Sequence, residues 1–162
     1  MKFEIHSILP YSLPQILDGL ALIRSEQADP HVRYTPHKHT PSHSVFELEY
    51  SPPPFLVPFI GRRVTLREDM VVHTQQVVVT TGSEKSDEQA PPFMRTVATF
   101  VPDSASSTVC SVETVWELGV TLPKIMEQRM MSFGKHLYET TLSRQSEYIE
   151  KAIQQNNGST LP

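Results

Sequence analysis

Cysteine occurs once in this chain of 162 residues, as Cys110. That excludes an internal disulfide and a cysteine-only metal site, and it suits a cytoplasmic or other reducing intracellular compartment. Cys110 falls within a strand pattern, where a lone thiol reads as a small buried hydrophobe. Glycine is also scarce, with six in the chain, so a glycine-rich loop cradling phosphate is not expected. No nucleotide fingerprint and no Ser-His-Asp spacing in its usual context is found. Positive charge is in deficit: 14 Lys and Arg stand against 18 Asp and Glu, a net charge of −4. The net charge therefore gives no electrostatic reason to expect nucleic acid. No apolar run reaches the roughly 18 residues that a membrane-spanning helix needs. The N-terminus lacks the basic-then-apolar order of a secretory signal, and no lipidation box is present. What remains, 38% apolar and 20% charged residues, is the composition of one globular domain able to bury a core.

The N-terminus alternates. Phe3 and Ile5 fall on one face of a strand that Pro10 ends. Ser12-Leu13-Pro14-Gln15 has the form of a capping box, with Pro early in the first turn where no intrahelical bond is lost. Ile16, Leu17, Leu20 and Ile23 continue as an apolar stripe, and the spacing predicts a helix to about Gln27, stopped by Asp29-Pro30. A similar entry, Thr121-Leu-Pro-Lys-Ile-Met, recurs near the C-terminus; it reads as shared helix-start chemistry and not as a domain repeat. Between the two lie strand patterns: a short one at 31–35, then 45–50 with Phe46, Leu48 and Tyr50 inward. Two more fall within 62–81, with a turn or bulge expected near Glu68-Asp69. A solvated loop follows at 82–92. Residues 93–101 and 108–118 form a hairpin pattern about a polar turn.

After Thr121-Leu122-Pro123 a helical pattern runs to about Gln155. Its apolar stripe includes Leu122, Ile125, Met126, Met130, Phe133, Leu137 and Tyr138. About 33 helical residues span roughly 50 Å, against about 20 Å for a typical strand. The helix must overhang the sheet, bend around it or meet a protein partner, with Gly134 as its soft point. The expected fold is α+β: a curved antiparallel β-sheet of about six to seven strands gripping a long C-terminal α-helix, with a shorter helix after the first strand. Residues 1–155 form the domain and 156–162 a disordered tail.

This order and these lengths resemble the START-like, or helix-grip, superfamily of lipid- and small-ligand-binding domains over residues 1 to about 155. Within it the layout looks somewhat like the PRELI group of phospholipid-transfer proteins, where a proline-containing apolar stretch ending in Ile-Gly precedes a strand, as Pro58-Phe59-Ile60-Gly61 does here. Sterol-transfer domains of the VASt type have a comparable order. The resemblance implies an apolar cavity between the sheet and the long helix.

The candidate cavity face follows from alternation. Cys110, Val112, Thr114, Trp116 and Leu118 share one side of the last strand; Met94, Thr96, Ala98 and Phe100 share one side of its partner. Met126, Met130 and Phe133 of the helix would face them. Sulfur and aromatic groups adapt to apolar ligands, and Thr hydroxyls can fix a polar group. The pattern alone fits a filled core equally well.

A second candidate is the segment 51–61, with four prolines in eleven residues, too many for a central strand. Phe55, Leu56, Phe59 and Ile60 followed by Arg62 and Arg63 suit a lid that touches a membrane interface, apolar tips for acyl chains and cations for phosphate. The bland alternative is a cap on the core with solvated arginines. His31, His37, His39 and His43 are the only metal-like cluster. His37-Lys38-His39 would place two rings on one side of an extended chain, but with no cysteine nearby they read as solvated, and no metal or cofactor is expected. Glu68, Asp69, His73, Arg95 and Glu113 fall on strands; one pointing inward could serve as an acid or base, and outward solvation is the ordinary alternative.

The expected function is binding, with intermembrane transfer, of a lipid or other hydrophobic small molecule, with peripheral membrane contact. Two alternatives stand beside it: a cyclase- or hydrolase-like enzyme on the same fold acting on a small cyclic substrate, and an interaction domain with a filled core that meets a partner through the long helix.

Overall fold

A computed structural model describes residues 1–83 and 93–158. Most of the loop expected at 82–92 and the last four residues of the expected tail lie outside the described residues. The elements in order are β1 (Lys2–Leu9), α1 (Leu13–Ser25), β2 (Val32–His39), β3 (His43–Tyr50), α2 (Val57–Ile60), β4 (Val64–Val72), β5 (Val77–Gly82), β6 (Phe93–Ser104), β7 (Ser107–Glu117) and α3 (Lys124–Gly158). The fold is α+β, as the pattern predicts.

The seven strands form one sheet in the order β1-β7-β6-β5-β4-β3-β2, and every described neighbour pair is antiparallel. Strands β2 to β7 follow one another as a meander, and α1 carries the chain from one edge of the sheet to the other. The local entry to α1 is as the sequence dictates. Ser12 Oγ accepts from the Gln15 amide at 3.5 Å, and the Gln15 side chain accepts from the Ser12 amide at 2.9 Å. The second entry differs: α3 begins at Lys124, directly after Pro123, and the Met126 amide donates to the Pro123 carbonyl at 2.8 Å.

Three local expectations are corrected. Neither a turn nor a bulge occurs at Glu68-Asp69; β4 runs straight through them in unbroken register, and the reversal falls at residues 73–76. The acidic pair looked like punctuation, but each carboxylate is held on its own face, Glu68 by Arg24 and Asp69 by Arg67 and His43. Strand β2 extends to His39, with a bulge between Pro36 and Lys38. And Gly134 is no soft point. The helix passes through it unbroken, and a Cβ there would lie 2.8 Å from the Phe3 ring. It is a point of close approach between α3 and β1.

Both long helices cover the inner face of the sheet. Two apolar clusters result. One joins Leu9, Ile16, Leu20, Val77, Phe100, Cys110, Val112 and Ile149; the other joins Phe3, Leu56, Trp116 and Met130. Tyr138 packs against both. Helix α3 meets α1 at Gly19, where a Cβ would come 2.8 Å from the Ile149 Cα. The C-terminal half of α3 is thus docked on α1, and polar links (Lys151 to Glu26 at 2.6 Å, Asn156 to Asp18 at 3.1 Å) extend the contact to its end.

Candidate ligand-binding site

A cavity of about 400 Å³ opens between the sheet and the helices. Small-molecule sites commonly have volumes of this order. Strand alternation makes its floor. Side chains on the inner face line up in rows across the sheet because each antiparallel pair puts residues directly opposite one another. One row is Glu68, Thr81, Thr96 and Thr114; the next is Met70, Val79, Ala98 and Val112. The α3 wall runs from Met130 to Gln145, roughly 22 Å of helix.

Of the candidate cavity residues, Met94, Ala98, Phe100, Trp116, Met130 and Phe133 line the space. Val112 and Thr114 face the same way but are buried in the floor, outside the lining. Met126 does not reach it. The first turn of α3 lies beyond the cavity, so Met126 is 37% exposed and Ile125 62%. In the proline-rich segment Leu56 and Ile60 line the cavity, while Phe55 is 48% exposed and meets the Phe133 ring edge-on at 5.0 Å. Phe59 is half-buried, and Arg62 and Arg63 are exposed, with Arg63 Nη1 3.7 Å from Glu49. Gly61, which ends α2, has φ of +87°, a conformation that a side chain would strain.

Glu68, Thr96 and Thr114 are the polar residues at the cavity that the strand pattern predicts; Arg24 and Tyr34 are not. Arg24, in the last turn of α1, points inward and is 7% exposed; Glu68, facing it from β4, is 6% exposed. Arg24 Nε donates to Glu68 Oε1 at 2.7 Å, Nη2 donates to the same oxygen, and Nη1 donates to the Leu20 carbonyl at 3.0 Å. The Phe46 ring lies 5.3 Å from the guanidinium carbon and the Tyr34 ring 6.0 Å. A signal for Arg24 existed, since it stands four residues after Leu20 and eight after Ile16, on the apolar stripe itself. Nearby, Arg144 donates to Asp29 at 2.8 Å. Burial, with the Glu68 charge beside it, pushes the Tyr34 phenol well above its usual range, so it stays neutral.

A second polar group lies toward the middle of the floor. Thr114 Oγ1 donates to Tyr138 Oη at 2.8 Å, Tyr138 donates to Thr96 Oγ1 at 2.7 Å, and Thr96 and Thr114 are 3.1 Å apart. Burial raises the Tyr138 pKa, against the opposing effect of the two threonine bonds. Trp116 Nε1 and Ser83 Oγ, both on cavity-lining residues, have no hydrogen-bond partner among the described residues.

The histidines do not assemble a site. His37 Nε2 lies 3.8 Å from Glu47, and His39 Nδ1 lies 2.9 Å from Ser44. Glu47 and Ser44 point to opposite faces of β3, so the β2 bulge separates the two rings that an unbroken strand would have placed together. Among the described residues no group of three or more His, Cys, Asp or Glu is arranged to hold a metal. Asp69, Arg95 and Glu113 stand on the outer face; Glu113 pairs with Lys2 at 3.3 Å, not with Arg95. Cys110 is buried, and burial pushes its thiol up to about 11, so it is inert as a nucleophile. Among the described residues no helix is long and apolar enough to cross a membrane.

Solved structures decide the fold. Human STARD10 aligns with a TM-score of 0.66 at 14% identity, over 97% of this chain and 66% of that one. The chain has the START-like helix-grip fold. The Zhui aromatase/cyclase from Streptomyces sp. R1128 aligns at 0.61 and 12% identity, over 94% and 95% of the two chains. The di-domain aromatase/cyclase BexL from the BE-7585A biosynthetic pathway aligns at 0.57 and 14%, over 93% of this chain and 50% of that one. The chain therefore spans just under two thirds of the STARD10 structure and half of BexL. No protein-family model and no curated protein sequence matches it.

Proposed function

We propose that residues 1–155 act as one binding domain that takes a hydrophobic small molecule or lipid into the cavity between the sheet and α3, in a reducing intracellular compartment. The observation that carries this reading is the cavity itself, about 400 Å³ of mainly apolar lining to which Leu56 and Ile60 of the proline-rich segment contribute. Burying apolar ligand surface there supplies the affinity, about 0.8 kcal/mol per methylene removed from water. The test is Ala98→Trp, which puts a large side chain into the floor. Uptake of a fluorescent fatty acid should fall at least about tenfold while the circular dichroism spectrum is kept. Unchanged uptake by the folded variant would show that the ligand goes elsewhere.

Transfer between membranes is the finer form of this reading, with the segment Pro58-Phe59-Ile60-Gly61 as the proposed lid, supported by Ile60 lining the cavity. Exposed apolar groups occur in two segments: Phe55, whose ring meets Phe133 of α3, and Val120, Ile125 and Met126 just before and within the first turn of α3. Arg62, Arg63 and Lys124 are exposed in the same segments and add the cations that anionic headgroups attract. Phe55→Asp with Phe59→Asp should cut binding to vesicles of phosphatidylcholine and phosphatidylserine severalfold in a flotation assay. Equal flotation of variant and wild type would remove the membrane-contact part of the proposal and leave the cavity untouched.

An enzyme of the aromatase/cyclase kind is the second reading. The inward Arg24–Glu68 pair and the neutral Tyr34 and Tyr138 phenols favour it, because they put ionisable and proton-donating groups beside an apolar space.

A further inference from the structure

The hydroxyl groups of Thr96, Thr114 and Tyr138 close a ring in which each oxygen lies within 3.1 Å of the other two. Each hydroxyl owns one hydrogen. Thr114 spends its hydrogen on Tyr138, and Tyr138 spends its own on Thr96. Only the Thr96 hydrogen is left for the 3.1 Å contact with Thr114; without it two lone pairs would face each other. The ring therefore consumes all three hydrogens, and circulation in the opposite sense would consume them equally. Such cyclic chains polarise their members cooperatively and resist opening. Thr114 is fully buried and holds the ring in place, while Thr96 and Tyr138 line the cavity. What those two can offer to anything in the cavity is lone pairs.

The same holds along the rest of this row. Thr81 directs its hydroxyl at Glu68 Oε2, at 3.4 Å, and the Glu68 carboxylate has only acceptors to give. A stripe of hydrogen-bond acceptors thus crosses the middle of a mainly apolar floor, from Glu68 through Thr81 and Thr96 to Tyr138, with Trp116 Nε1, unpartnered among the described residues, as the one donor in the adjoining row. Rows of large apolar bodies flank it: Met94 and the Trp116 indole on one side, Val79, Ala98 and Val112 on the other.

We infer that the Thr96–Thr114–Tyr138 ring and the adjoining Thr81 form a specificity subsite for ligands that carry hydroxyl or amine hydrogens on the middle of an apolar body. This rests on the cavity-binding reading and names the chemistry the cavity selects. A ligand hydroxyl laid on the stripe gains an acceptor without disturbing the ring. A carbonyl, ester or ether oxygen in the same place meets lone pairs, and a purely hydrocarbon body covers buried oxygens without bonding them. The preference comes from the hydrogen bond that only a ligand donor can complete, since the ring hydroxyls already satisfy one another.

The test is a double-mutant cycle between protein and ligand, read by titration calorimetry. The probes are a naphthalenediol and the dimethylnaphthalene substituted at the same positions, which are close in shape and differ in donor hydrogens. The ratio of their affinities should fall about tenfold in Thr96→Val, which removes one acceptor at constant shape. Thr81→Val should lower it as well, and Thr96→Ser, which restores the oxygen, should keep the wild-type ratio. Ala98→Trp should block both probes. A ratio unchanged in both valine variants, with both probes still bound and still blocked by Ala98→Trp, overturns the subsite and leaves the cavity standing. Binding of neither probe to the wild type overturns the subsite and the cavity reading together.

Discussion

Arg24→Met should be the most destabilising single change at the site, lowering the free energy of unfolding by about 3–5 kcal/mol. Arg24 and Glu68 are almost wholly screened from solvent, so the carboxylate left behind would be a buried charge without its partner. The double variant Arg24→Met with Glu68→Leu should recover most of that loss, because it removes both desolvation costs and puts apolar groups against Phe46 and Leu20. Urea denaturation of the wild type, the single variant and the double variant gives all three values. A loss under about 1 kcal/mol for Arg24→Met would mean that the pair behaves as a solvated surface bridge, and that this end of the cavity is wet. The double variant also asks a functional question. If it is stable but takes up ligand less well, the pair serves the ligand and not the fold.

Gly19→Ala should lower stability by about 1–3 kcal/mol, although alanine is the better helix former. On an exposed helical position the same change would stabilise by about 1 kcal/mol. Here the new methyl would stand 2.8 Å from the Ile149 Cα and closer still to its Cγ1. The side-chain clash can be eased by a smaller residue, but the contact with backbone cannot. Pairing Gly19→Ala with Ile149→Ala should therefore not restore stability, since Ile149 is itself fully buried and its truncation leaves a cavity. Relief can come only from moving α1 away from α3. Because Leu20, Ile23 and Arg24 of α1 line the ligand cavity, ligand affinity should weaken together with stability. Thermal melting and a ligand titration on the same variant check this. An increase in melting temperature would show that the two helices are not in close contact at Gly19.

The local pattern reached a long way. Alternation alone assigned the inner faces of β6 and β7, because a strand has a side-chain period of two and one of its faces is covered. The helix-start chemistry at Ser12 to Gln15 is a contact between residues three apart, so the sequence carried it completely. The length of the final amphipathic stripe announced a helix too long for the sheet beneath it, and the structure covers its far end with α1. Where the reading slipped, a signal was present but ambiguous: Glu68-Asp69 looked like a turn because acidic residues favour turns, and only the opposing Arg24 shows why Glu68 belongs in a buried strand.

By itself, then, the sequence determined the main elements, their order, the shared faces of β1, β3, β6 and β7, and, with a single cysteine, the absence of an internal disulfide, since all of these are written in neighbouring residues. Only the tertiary structure decided what those faces meet. Arg24 finds Glu68 across 44 positions, Thr96 finds Tyr138 across 42, and Gly19 finds Ile149. It also decided that the space between sheet and helix is open. A hollow core and a filled one demand the same apolar pattern, and the difference lies in the spacing of α3 from the sheet, which close contacts such as those at Gly19 and Gly134 set. Hydrogen-bond polarity is likewise tertiary. A threonine on a strand can donate or accept, and the ring it joins leaves it only the second.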